Sequence, residues 1–257
     1  MTRQDADALQ RATPGHGRPL SAAPWDWSDV LLFLLLFFSG LAIADAILLA
    51  SPVEAFGRSL LHGVGPQTQT AIGNLFVQTV TYLVGIAVLL GLVLGRRHAH
   101  LSDLGWRMPR LRWIPVALVA AAISLVALSY LLDLLQALFP HVQNAQVPQV
   151  QAEYGHALSF AIPAVAVVAP LAEETFFRGF IYTWMRRHLR VPVAAILSGC
   201  FFAAAHLGYG VQSELLIGLP LALLGVVLAL LYEYSGSLMP GAIVHAVFNL
   251  VNIIQIV

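Results

Sequence analysis

Seven windows of mostly apolar residues recur along this chain, at approximately 29–50, 69–94, 113–137, 158–185, 191–208, 214–232 and 238–257. About 20 such residues make a helix long enough to cross the hydrocarbon core of a bilayer. The windows predict an all-α fold, a polytopic transmembrane helical bundle of about seven spans. The fourth window is long and the fifth short, which points to a tilt or a partial span there. The loop 140–157 leaves room for an eighth helix, too polar to span. Only 10% of the residues are charged, against about 25% in a soluble domain, which excludes the ordinary globular class.

Arginine placement orients the bundle. The chain has 13 basic residues and no lysine, a bias toward GC-rich codons that points to a prokaryotic plasma membrane. Arg3, Arg11 and Arg18 precede the first span. Arg96, Arg97, Arg107, Arg110 and Arg112 follow the second, and Arg186, Arg187 and Arg190 follow the fourth. The positive-inside rule then places the amino terminus in the cytoplasm. Residues 1–27 read as a disordered cytoplasmic tail without a signal peptide, ending at Trp25 and Trp27, which suit an interfacial aromatic belt. Residues 28–257 read as a single integral-membrane domain. Leu101, Leu104 and Trp106 suggest a short interfacial helix in the loop that follows the second span. Formal net charge is zero, so there is no electrostatic case for nucleic acid. The lone Cys200 excludes an internal disulfide and reads as a small buried hydrophobe. Nothing in the sequence sets an oligomeric state.

The stretch 161–182 is apolar except for Glu173, Glu174 and Arg178 at its centre. Ionised groups at that depth cost roughly 2.5–3.5 kcal/mol each, so three unpaired ones would cost on the order of 8–10 kcal/mol. That rivals the net stability of a whole domain, about 5–15 kcal/mol. In a helix, residues four apart share a face, so Glu174 and Arg178 form an ion pair that braces the span. Glu173 points elsewhere and has no local partner. A carboxylate held out of water and ready to accept a proton is a candidate general base. Phe202 and His206 lie four apart in the fifth window, and His245 and Asn249 four apart in the seventh. At about 1.5 Å per residue, Glu173, His206 and Asn249 lie roughly 15–25 Å deep, with His245 and Arg178 shallower. Three spans can therefore gather their polar residues in one pocket, and the shallower pair favours access from the cytoplasm. Asp45, Asp133 and Asn252 read as interhelical bonds or pocket lining, Glu233 as a solvated boundary residue, and Gly199, Gly218 and Gly225 as sites of close helix packing.

The pattern Glu-Glu-x-x-x-Arg, then Phe-x-x-x-His, then His-x-x-x-Asn resembles the CPBP family of intramembrane proteases. These are the CAAX-protease and bacteriocin-processing (Abi) proteins, related to the eukaryotic Ras-converting endopeptidase. Gly179, Gly236 to Pro240, and Leu104 to Arg107 fit the same resemblance, whose core motifs lie within 158–257. The resemblance implies an endopeptidase acting on a membrane-associated peptide or protein, of CAAX or bacteriocin-leader type. It implies that Glu173 and His206 activate a water, that His245 and Asn249 bind the oxyanion, and that Glu174, Arg178 and Phe202 support them. No cofactor is expected. Glu173, His206 and His245 would be the ligands if zinc were used, although the sequence has no His-Glu-x-x-His pair. Two other classes compete: a non-catalytic peptide-binding or immunity scaffold in the same cavity, and a proton-coupled transporter. The lack of an internal repeat weighs against the transporter. The expected partners are the lipid bilayer and a peptide substrate.

Overall fold

The computed structural model describes residues 20, 23–48, 59, 61–142, 150–151, 157–206 and 211–256. Seven helical stretches run through them, with no strand among the described residues. They are α1 (Trp27–Leu48), α2 (Pro66–Arg96), α3 (Trp113–Leu138), α4 (Leu158–Arg186), α5 (Val191–Ala204), α6 (Val211–Ser235) and α7 (Met239–Ile256). The first four and α6 are long and apolar enough to cross a bilayer. At 14 residues, α5 would reach only about 21 Å and is a partial span. The protein is an integral membrane protein of helical-bundle type. The eighth helix expected in 140–157 falls largely outside the described residues, as do most of the tail 1–27 and the Asp45 side chain.

Local chemistry sets where the first helix starts. Asp26 Oδ1 accepts the Ser28 amide at 2.9 Å while Asp29 Oδ2 accepts the Asp26 amide at 2.8 Å. This reciprocal capping satisfies two amide donors that a helix start otherwise leaves open. Arg97 ties the same cap to the end of α2, with its Nε 2.7 Å from the buried Asp29 and its Nη2 2.8 Å from Asp26. Lipid-facing residues such as Leu35, Phe38, Ile43 and Leu83 stand exposed on the outer faces, as expected where the solvent is hydrocarbon.

Interior packing relies on small residues where backbones meet. At Gly225 an added Cβ would come within 2.7 Å of the Gly199 Cα, and at Gly199 one would come within 2.9 Å of Val226 Cγ2. Such contacts let α5 and α6 run side by side, as expected in a membrane where van der Waals packing replaces the hydrophobic effect between helices.

In α4 an otherwise α-helical span contains two π-helical stretches, Ala164–Val168 and Thr175–Tyr182. The uniform 3.6-residue period assumed from sequence does not hold there. In the first stretch the π-register partner of the Val165 carbonyl is Pro170, which has no N–H. Asn249 Nδ2 fills that role at 3.0 Å. In the second, Trp25 Nε1 donates to the Phe180 carbonyl at 2.9 Å, and Thr183 Oγ1 donates to the carbonyls of Gly179 and Phe180 at 2.5 and 3.0 Å. Side chains from α7 and from the segment before α1 therefore help define the backbone of the central span.

Trp25 is thus not an interfacial anchor. It is fully buried, tilted against Phe180 at 5.5 Å, and its carbonyl accepts from Arg187; Trp27 is exposed. The loop after α2 also departs from expectation, because residues 101–105 form turns rather than an interfacial helix. Leu104 is fully buried, Gly105 has φ +97°, and the Gly105 carbonyl accepts the Leu238 amide at 3.0 Å. Trp106 Nε1 reaches Thr175 Oγ1 at 2.9 Å and Ser237 Oγ reaches the Arg107 carbonyl at 2.6 Å. The loop is a plug that docks α4 and the start of α7, and a left-handed residue lets it turn back under them. Two further expectations fail. Cys200 is exposed on α5 rather than buried. Glu233 is mostly buried, accepting from Arg186 Nε at 3.0 Å and Tyr182 Oη at 2.8 Å, and is not a solvated boundary residue. Asp133 lies exposed on α3.

Candidate active site

Glu173 and Glu174 leave α4 in different directions and meet different partners. Glu174 is fully buried, with Oε1 2.8 Å from Arg178 Nη1 and 3.2 Å from His245 Nδ1. The pair keeps its four-residue spacing although Arg178 lies in the π-helical stretch. Arg178 Nη2 also donates to the Gly225 carbonyl at 3.1 Å, and its guanidinium lies 4.5 Å from the Phe202 ring centroid. Both charges are out of contact with solvent, so each depends on the other and on these hydrogen bonds for its compensation.

Glu173 faces a cavity of about 890 Å³. Its Oε1 accepts from Tyr82 Oη at 2.5 Å. Its Oε2 is buried and accepts no hydrogen bond, and it lies 3.6 Å from His206 Nε2 and 3.7 Å from His245 Nε2. Phe202 holds both imidazoles, with ring centroids 4.6 Å from His206 and 5.3 Å from His245. His206 Nδ1 is 2.7 Å from the Phe202 carbonyl. A carbonyl only accepts, so the ring proton is assigned to Nδ1 and Nε2 turns its lone pair toward Glu173. Two acceptors face each other at 3.6 Å, an arrangement suited to a molecule that donates to both, such as water. Among the described residues no group of three His, Cys, Asp or Glu side chains is arranged to hold a metal ion.

Residue counting places His245 somewhat shallower than Glu173, and in the structure His245 Nε2 lies 3.7 Å from Glu173 Oε2. The loop 236–238 docks onto the plug through Ser237 and Leu238. Asn249 lines the same cavity, one turn beyond His245, with Nδ2 engaged by the Val165 carbonyl. Asn252 also lines it and donates to the Phe248 carbonyl at 2.8 Å. Tyr82 was missed by the sequence reading. Its signal was the run of Gln78, Thr79, Thr81 and Tyr82 at mid-depth in an apolar span. The plug and Trp25 occupy the end of the bundle that carries the amino terminus, whereas the cavity lining extends toward the other end through Leu132, Val150, Leu216 and Asn252.

The fold and site define a class, the polytopic helical membrane proteins with an acid, two imidazoles and a carboxamide around an internal cavity. Residues 155–251 match the model of the Rce1-like family, described as type II CAAX prenyl endopeptidases. The matched segment spans α4 to α7, while Tyr82 and the plug lie outside it. No curated protein and no solved structure matches the chain.

Proposed function

We propose that the protein is an intramembrane endopeptidase that hydrolyses a peptide bond of a membrane-associated peptide or protein. The observation that carries this reading is the unpartnered Glu173 Oε2, 3.6 and 3.7 Å from two imidazole nitrogens inside the bundle. A water donating to Glu173 Oε2 and His206 Nε2 is oriented with its lone pairs free for the scissile carbonyl. As it attacks, one proton passes to Glu173 and the carbonyl oxygen takes up the negative charge. His245 turns Nδ1 to Glu174 and Nε2 to the cavity, where an Nε2–H donates to the oxyanion. Asn249 supplies a second donor through its other amide hydrogen. Collapse breaks the C–N bond, and the proton held on Glu173 passes to the departing amine. Glu174, Arg178 and Phe202 hold His245 and His206 in register.

The reaction as written uses no metal and forms no acyl-enzyme. The match to type II CAAX prenyl endopeptidases supports a CAAX-type tail as substrate, and a bacteriocin-type leader peptide is the second candidate. The amino terminus is assigned to the cytoplasm on the arginine distribution. The test uses purified protein in nanodiscs with quenched-fluorescence peptides ending in a prenylated Cys-a-a-X sequence or carrying a leader-type junction. Cleavage that disappears in a folded Glu173→Ala variant and survives a chelator supports the proposal. Loss of cleavage on chelation would replace it with a metal mechanism at Glu173, His206 and His245. Peptide binding without cleavage would leave a scaffold.

A further inference from the structure

We infer that Tyr82, on a helix outside the family match, is a positioning residue for the reaction, acting by fixing the orientation of the Glu173 carboxylate. The inference rests on the proteolytic reading above. The last torsion of a glutamate is broad and roughly two-fold, so a carboxylate that reaches into a cavity has no intrinsic reason to present a particular oxygen. Here one oxygen is committed. Tyr82 Oη donates to Oε1 at 2.5 Å, between two partly buried groups 91 residues apart in sequence. Oε2 is thereby left facing His206 and His245 and accepts nothing from the protein.

The bond assigns separate tasks to the two oxygens. Oε2 takes the proton of the attacking water, and Oε1 keeps its donor throughout. Tyr82 touches neither the scissile bond nor the water in this arrangement, so its contribution is geometric. The matched segment brings Glu173, both histidines and Asn249, but among the described residues of α4 to α7 no side chain donates to Oε1. That role comes from α2, which packs against α4 beside the site. This gives the amino-terminal hairpin a function in the chemistry besides closing the cavity.

The test compares Tyr82→Phe with wild type, with Glu173→Gln, and with Thr79→Val as a control on the same helix. Thr79 donates only to the Leu75 carbonyl within α2. Steady-state cleavage of the quenched peptide gives kcat and KM, and thermal unfolding of the purified proteins is followed in parallel. Tyr82→Phe keeps the ring and removes the hydroxyl. The expected result is a kcat lowered by about ten- to a hundredfold, part of the 10²–10⁴-fold that a positioned general base typically contributes. KM and melting temperature stay near wild type, and Thr79→Val behaves as wild type in all three. A purely structural role would lower the melting temperature and leave kcat per folded molecule unchanged. Wild-type kcat in Tyr82→Phe, alongside an inactive Glu173→Gln, overturns the role of Tyr82 alone. No cleavage by wild type overturns the proteolytic reading and this inference with it.

Discussion

Replacing Arg178 by methionine tests the framework under the site. Arg178 and Glu174 are both fully buried, with 2.8 Å between Nη1 and Oε1. Opposite unit charges at that separation attract by about 6 kcal/mol at an effective dielectric of about 20. Desolvation costs several kcal/mol per ion, so the net contribution of the intact pair is small. Breaking it from one side is a different matter. Methionine at 178 leaves a buried carboxylate with His245 Nδ1, at 3.2 Å, as its remaining partner and Oε2 unpaired. The Phe202 ring also loses the cation 4.5 Å from its centroid. The expected loss is about 3–5 kcal/mol, enough to unfold a domain of ordinary stability partially at 37 °C. Glu174→Gln combined with Arg178→Met removes both charges together and should recover more than half of that loss. Fraction folded is read in nanodiscs or mild detergent against denaturant, with all four members of the cycle measured side by side. An Arg178→Met protein as stable as wild type refutes the reasoning, as does a double variant no better than Arg178→Met.

Gly179→Ala places a methyl group 2.8 Å from the Leu104 carbonyl oxygen, which should displace the plug, cost about 1–3 kcal/mol and open the 101–107 loop to protease. Asn249→Ala should lower kcat by about 10²–10³-fold with KM little changed, as for loss of one oxyanion donor. It also frees the Val165 carbonyl, so a melting curve is needed beside the kinetics. The Asp26 carboxyl is held down to about 2 from 3.8, chiefly by the Ser28 hydroxyl and further by Arg97. A depressed carboxylate adds stability above its unfolded value and loses it as pH falls toward the folded one. The cap should therefore loosen between about pH 4 and pH 2, seen as increased quenching of Trp25 fluorescence. Ser28→Ala should move that transition to higher pH.

Much of the bundle is legible from hydropathy, because a span must be apolar along its length wherever it packs. The short fifth span and the Glu174–Arg178 contact are equally local, set by helix length and by a four-residue repeat that survives the π-helical register. The small residues Gly199 and Gly225 also announce a close crossing without naming the partner. Other features depend on groups far apart in the chain. Hydropathy cannot say which face of α2 turns inward, so Tyr82 appears beside Glu173 only when α2 packs on α4. His245 meets Glu173 only when α7 packs on α4, a contact between elements that no residue count supplies. Trp25 and Trp106 look like interfacial aromatics, yet their indoles find bonding partners on the π-helical part of α4, and a propensity scale contains no such partner.

The amino-acid order alone establishes a membrane-embedded all-helical chain carrying three polar motifs in a definite succession, because burial in hydrocarbon filters composition residue by residue. Folding in three dimensions selects which carboxylate oxygen faces the imidazoles, where the 101–107 loop docks, and which residue from the amino-terminal hairpin joins the site. Those outcomes depend on hydrogen bonds and close contacts between segments as much as 162 residues apart, and directional interactions of that kind leave no period in the sequence.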